Sequence, residues 1–426
     1  MRHTKTGLFI QFLVLNLFFN TYGQTQGSGK TYLVINGIWF TGNGFVKQTF
    51  YCSNGILAAK KPNRVDSIID LAGKYVIPPF GEAHNHNVEW YGEERFYKLR
   101  DRYLKDGIFY VKNPNNLPKV PGQLAGRINT PQSIDVSFSN GSITAPQGHP
   151  LGLVKRNIDR EVWTIADGEG GFYYSVDNLK EFYTKWETLK KTKPGFIKLY
   201  LLYSEEYAKR RTDSNFFAWK GLNPAMLKTM IEKIHKDGYR VAVHVETSAD
   251  FHTALLAGAD EINHTPGFRA KEDYGFENYK IAEADAKLAA RKKIAVVTTM
   301  GTAIDNIFKT IDSLPYKATE KEMIIHNLLV LHKNKVRLAI GSDAYGQTAR
   351  FEIDHLKKLG IFDNLTLLKM WCETTAQTIF PGRKIGYLKE GYEASFLVLE
   401  GNPVEDFKYT ERIMMRVKSG LIMRNL

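Results

Sequence analysis

Two histidines one residue apart, His84 and His86, stand in the segment FGEAHNHN, directly after the apolar run YVIPP. In an extended chain, residues i and i+2 point to the same side, so both imidazoles can converge on one point. Metal binding is the chemistry such a pair offers; a solvated surface pair is the plain alternative. Four later apolar runs each carry one polar residue near their end: FIKLYLLY has Lys198, YRVAVHVE has His244, ADEINH has His264 and VRLAIGSDAYG has Asp343. Singly, each has a bland explanation: a hydrogen-bonded core histidine for His244, a loop residue for His264, an edge-strand lysine for Lys198, a helix cap for Asp343. Together they repeat one position, at or near the C-terminal end of an apolar strand. A lone buried histidine, lysine or aspartate costs free energy unless it is paired or coordinated. One shared metal site accounts for them all. Its nitrogen and oxygen donors suit Zn²⁺, with Mn²⁺, Fe²⁺ or Co²⁺ as alternatives.

These side chains need a frame, and the middle of the chain supplies a repeating one. ERFYKLRDRYLKDG reads as a helix before the strand IFYVKN, and SIDVSFSNG reads as another strand. NLKEFYTKWETLKKTKPG reads as a helix before FIKLYLLY. NPAMLKTMIEKIHKDG has Asn223 as a cap, Pro224 in its first turn and Gly238 at its stop, and leads into YRVAVHVE. SADFHTALLAG precedes ADEINH, and a helix over 318–333 precedes VRLAIGSDAYG. Such alternation over about 300 residues requires parallel strands with crossover helices. An α/β (β/α)8 TIM-like barrel and a doubly wound sheet both fit. Barrel sites assemble at the C-terminal ends of the strands, where the polar residues fall. Before the barrel and after it the text changes to short strands with Gly and Asn turns. This predicts a barrel over 77–384 and a small β-sandwich built from both chain ends, 24–76 and 385–426, because sheet edges need partners.

The N-terminus has the order of a secretory signal peptide over 1–23: basic MRHTKTG, apolar LFIQFLVLNLFF, then small and polar residues with a cleavage site after Gly23. The apolar core is short for a membrane span, which needs about 20 residues. The expectation is an exported protein, periplasmic or secreted, without stable membrane insertion after cleavage. The two cysteines, Cys52 and Cys372, are not expected to pair, since a chain of 426 residues buries an ample core. Hydrophobic residues at 43% and charged residues at 24% are those of an ordinary globular protein. The net charge of +13 is spread along the chain without a basic stripe interleaved with aromatics, so no nucleic-acid partner is expected. The expected partner is a small-molecule substrate, and a homo-oligomer remains compatible.

The order HxH, Lys, His, His, Asp at successive strand ends resembles the amidohydrolase superfamily, in its imidazolonepropionase- and prolidase-like branch. The tail TTAQTIFPGRKIGYLKEGYEASFLVLEGNPVEDF is similar to that family's closing segment. The resemblance spans roughly 31–426. It implies that His84, His86 and Asp343 bind one metal, that His244 and His264 bind a second, and that Lys198 bridges them as a carbamate formed from carbon dioxide. It further implies hydrolysis of a C–N bond in an amide, dipeptide or cyclic amide, without excluding an ester or lactone. The attacking species is a metal-activated hydroxide and Asp343 the general base. Oxyanion or substrate contacts are expected from His149 in PQGHPLG and from Tyr200 and Tyr203 beyond Lys198. Arg269 and the KRRTD run at 209–213 could hold a substrate carboxylate, with basic surface as the plainer reading. Two departures stand out: Glu82 where the family has Asp, and ASF where it has Ala–Asp before the last apolar run. A single-metal, deaminase-like variant would leave Lys198 unmodified, with His264 orienting water and Glu246 relaying protons. A non-catalytic barrel that binds a partner is disfavoured, because every expected ligand is present.

Overall fold

The structure, a computed structural model, describes residues 30–423. The signal-peptide reading of 1–23 lies outside the described residues. Among the described residues, no helix is long and apolar enough to cross a membrane.

The predicted alternation is present. Strands Phe80–Glu82, Ile108–Asn113 and Asp135–Phe138 form one parallel sheet. Strands Tyr173–Ser175, Ser142–Thr144, Ile197–Tyr200, Val241–His244, Glu261–Asn263, Ala295–Val297 and Arg337–Ala339 form a second parallel sheet in that spatial order. The two ladders stay separate, and single backbone bonds link them. Ala83 N–H donates to Ile340 O at 2.8 Å, Asp343 N–H to His84 O at 2.9 Å, and Gly195 N–H to Phe138 O at 2.8 Å. The architecture is thus parallel α/β in two sheets linked by single backbone bonds.

The crossover helices start and stop where local chemistry dictates. In Pro224–Lys236 the Asn223 side chain accepts from Ala225 N–H at 3.0 Å, and Gly238 supplies the positive φ beyond the helix. Ser248–Ala257 opens on a reciprocal capping box between Thr247 and Asp250, directly after the strand carrying His244. The helices Leu179–Lys191 and Pro224–Lys236 are tied through Asp237, which accepts from Trp186 Nε1 at 2.8 Å and from Lys190 and Lys233. Burial alone would raise the Asp237 carboxyl, but Lys233, Trp186 and Lys190 outweigh it and hold it at about 2. A depressed folded-state pKa stabilises above the unfolded value and is lost as pH falls through the folded one. Asp237→Asn should therefore lower the melting temperature at pH 7, and thermal melts should show the penalty fading below about pH 4 towards pH 2.

Strands from the two sides of this α/β region pair with each other. Tyr75–Ile77 pairs antiparallel with Phe396–Leu399, and both belong to an eight-stranded sheet. The form differs from two stacked sheets: the ladder is one sheet, and a bridge between Ile56 and Glu393 draws its two sides together. Its enclosed face holds a separate core that includes Val34, Trp39, Phe50, Leu57, Val76 and Phe396. Cys52 lies in this core and Cys372 in the main one, and both are free.

The floor under the first strand comes from the far end of the chain. Trp371 stacks on Phe80 with ring centroids 3.7 Å apart, and its Nε1–H donates to Gly81 O at 3.0 Å. A Cβ at Gly81 would meet Thr375 Cγ2 at 2.7 Å. The Thr375 hydroxyl oxygen also accepts from Ile340 N–H at 2.8 Å. The segment Met370–Ile379, π-helical over Met370–Thr374, thus packs under both the first strand and the last.

Candidate active site

The strand ends deliver the predicted residues to one place. His84, His264 and Asp343 each offer a donor atom, and those atoms lie within 4.8 Å of one another. His86 Nε2 is 3.3 Å from Asp343 Oδ1. His244 follows from register: it pairs with Tyr200 on one side and Asn263 on the other. Its Nδ1 is 2.9 Å from His264 Nε2, and its Nε2 is 3.0 Å from Glu246 Oε1. Lys198 is buried and donates from Nζ to Asn263 Oδ1 at 2.6 Å. The backbone at His264 and at Asp343 lies in the left-handed region, with φ of +94° and +44°. For residues with a Cβ such angles are held only where surrounding structure enforces them.

Glu82, where the resemblance leads one to expect Asp, has a structural use. It is fully buried; Oε1 accepts from Ser342 N–H at 2.8 Å and Oε2 from the Ser342 hydroxyl at 3.0 Å. Its carboxyl group therefore pins the loop that presents Asp343 to the strand that leads into His84.

The electrostatics suit a cation. Burial, reinforced by neighbouring charges such as Lys198, holds His84, His244 and His264 well below the usual imidazole pKa, so all three are neutral. Burial also pulls Lys198 down to about 7, against the opposing pull of Asp343 and Glu261. Nδ1 of His84 and Nδ1 of His86 are buried without a hydrogen-bond partner. Imidazoles whose Nε2 atoms face the Asp343 carboxylate at 3.7 and 3.3 Å, with a neutral His264 beside them, are a donor set that fits a divalent ion.

A cavity of about 240 Å³ opens on these residues. His84, His86, His244, His264 and Asp343 line it together with His149, Tyr200, Asn115, Arg156, Arg269 and Tyr345. His149 is held with its ring 5.1 Å from that of His244 and 4.8 Å from that of Tyr200, and burial keeps its pKa at about 3. The expectation for Tyr203 is corrected. Its backbone turns left-handed at φ +49°, its ring packs against Tyr274 and under Arg210, and it does not line the cavity. Within KRRTD, Arg210 pairs with Glu206 and Arg211 with Asp177, away from the cavity. Arg269 is the reverse case: it lines the cavity and is hydrogen-bonded to Glu246. Asn115, Arg156 and Tyr345 carry no signal in the sequence: Asn115 and Tyr345 sit in loops, and Arg156 reads as the polar face of the helix Leu151–Asp159.

Comparison with known proteins follows the same lines. The sequence model of the Amidohydrolase family matches residues 193–422, a span that includes Lys198, His244, His264 and Asp343. No curated protein matches the sequence. Among solved structures, the fold is similar to that of a Xaa-Pro dipeptidase with bound methionine in its active site, at 16% identity and TM-score 0.70 over 93% of this chain and 100% of that one. It is also similar to A. niger ochratoxinase, at 18% identity and TM-score 0.71 over 92% and 95% of the two chains. Molinate hydrolase gives 15% identity and TM-score 0.69 over 94% and 95%.

Proposed function

The chain belongs to the amidohydrolase family, and on that premise we propose that it is an exported, metal-dependent hydrolase of carbon–nitrogen bonds. The observation that carries this reading is the convergence of His84, His264 and Asp343 within 4.8 Å at the floor of a cavity. The two sheets of parallel strands are read as one (β/α)8 barrel, supported by the single bonds between them. His84, His86 and Asp343 would hold one Zn²⁺, His244 and His264 a second, and Lys198, as a carbamate, would bridge them. When bound, the metal supplies Lewis acidity that lowers the pKa of water and polarises the scissile carbonyl.

The chain's own residues do the rest. Asp343, with its side chain 24% exposed at the cavity, accepts the proton of the attacking water and returns it to the leaving nitrogen. His149, neutral through its burial, donates a ring N–H to the developing oxyanion. Tyr200, whose phenol burial keeps protonated, accepts from Asn115 Nδ2 at 3.3 Å and so keeps its own O–H free for the same oxygen. Arg269 and Arg156 give the cavity wall two cations that suit a substrate carboxylate, as on a dipeptide or N-acyl amino acid. The dipeptidase among the structural neighbours favours that class.

A second reading draws on two contacts. Lys198 is engaged by Asn263, and His244 by Glu246, which suits one ion held by His84, His264 and Asp343 with Glu246 as proton relay. Metal analysis of the purified protein separates the cases as two ions per chain, one, or none. It should be run beside a panel of dipeptides, N-acyl amino acids, cyclic amides and lactones; metal without turnover on any of them would sink the hydrolase assignment. His149→Ala should lower kcat on the best substrate by about 10²–10³-fold with metal content unchanged. Export is tested by N-terminal sequencing of the mature protein, expected to begin at Gln24.

A further inference from the structure

Beneath the site lies a buried polar chain, of which the mechanism above uses neither Lys112 nor Glu261. Lys112, from strand Ile108–Asn113, donates to Glu261 Oε2 at 2.5 Å, and both side chains are at most 5% exposed. Glu261 Oε1 accepts from Asn263 Nδ2 at 2.7 Å, and Asn263 Oδ1 accepts from Lys198 Nζ at 2.6 Å. Three strands contribute. Glu261 and Asn263 are i and i+2, so they share a face of their strand. Lys198 pairs in register with Ala242, and Ala242 with Glu261. A small residue in the row between them lets the two long side chains cross the interior.

We propose that Asn263 is the residue that positions Lys198, and that the buried Lys112–Glu261 pair serves to fix the Asn263 amide in one orientation. The inference rests on the metal-dependent reading above. An isolated buried ion pair is seldom a net source of stability, because desolvation offsets its attraction. Here it has a directional consequence. A carboxylate oxygen facing Asn263 admits only the NH₂ side of the amide, since the carbonyl side would set two acceptors against each other. The amide oxygen must then face Lys198. A lysine stem loses substantial rotamer freedom when held in one place, and this tether fixes Nζ on the Asn263 amide oxygen. Without the carboxylate the amide is free to turn. It would then present NH₂ to an amine that can act as donor, and Lys198 would lose its acceptor.

The amide-orientation argument makes a specific rescue prediction. Glu261→Gln lets its own NH₂ face position 263, so Asn263 reverses and Lys198 is released. Adding Asn263→Asp restores an oxygen towards Lys198 whichever way the group turns, and the pair of changes leaves the total charge unaltered. Affinity of the full-length protein for Zn²⁺, measured by chelator competition, should fall about 10–100-fold in Glu261→Gln and in Asn263→Ala. It should return to within about threefold of wild type in Glu261→Gln combined with Asn263→Asp. KM for substrate should move less than Zn²⁺ affinity in all three, and circular dichroism should report a native fold. Unchanged Zn²⁺ affinity in Asn263→Ala overturns the inference, as does a combined variant no better than Glu261→Gln alone. A wild-type protein that binds no divalent ion overturns the functional reading and this inference with it; normal wild-type binding with unaffected variants overturns this inference only.

Discussion

Asp343→Asn is expected to cut kcat by about 10²–10⁴-fold while KM and bound metal stay close to wild type. The amide keeps an oxygen at the position where Asp343 approaches His84 and His86, at 3.7 and 3.3 Å, so the donor set survives. What the amide cannot do is accept a proton from water and give it back to the leaving nitrogen. Steady-state kinetics beside metal analysis separate the two roles. Near-wild-type turnover with metal retained would remove Asp343 from the proton path. Loss of metal along with activity would make it a ligand first and leave the base to another group, with Glu246 the next candidate because it already contacts His244.

Stripping the protein with a strong chelator should abolish turnover, and adding back Zn²⁺, Mn²⁺ or Co²⁺ should restore it. The stripped protein should also melt at a lower temperature, since an ion that binds only the folded state stabilises it by mass action. The physical basis is the cluster itself: three buried neutral imidazoles, orphaned ring nitrogens on His84 and His86, and one carboxylate, gathered at one place. Full activity after exhaustive stripping, verified by elemental analysis, would refute metal dependence outright.

Much of the site is legible in the sequence because a polar residue inside an apolar run is conspicuous. His84, Lys198, His244, His264 and Asp343 all stand out this way, and the capping signals around Asn223 and Gly238 set the helices between them. What is not legible depends on pairing between strands. Lys112, Glu261 and Asn263 look unremarkable singly; only the register that sets Ala242 between Lys198 and Glu261 shows them as one chain. Glu82 is visible as a mismatch, but its use, bonding to Ser342 260 residues away, is a fact of folding. Tyr203 misleads because strand alternation does not survive the left-handed turn at that residue. Arg269 misleads in the other direction: a cation in a loop reads as surface until Glu246 is found beside it.

The Met370–Ile379 segment carries a consequence for how the protein comes into being. The strand that leads into His84 is made early, yet the indole beneath Phe80 and the hydroxyl that bonds Ile340 are made much later in the chain. The sheet at the chain ends has the same dependence, since Tyr75–Ile77 waits for Phe396–Leu399. Closing contacts over such sequence separations is entropically slow. The first strand therefore has no finished floor until residues 370–379 have joined it, even where Glu82 has already bonded Ser342. Any ion that the proposed site takes would therefore meet a finished floor only after residues 370–379 have packed beneath it.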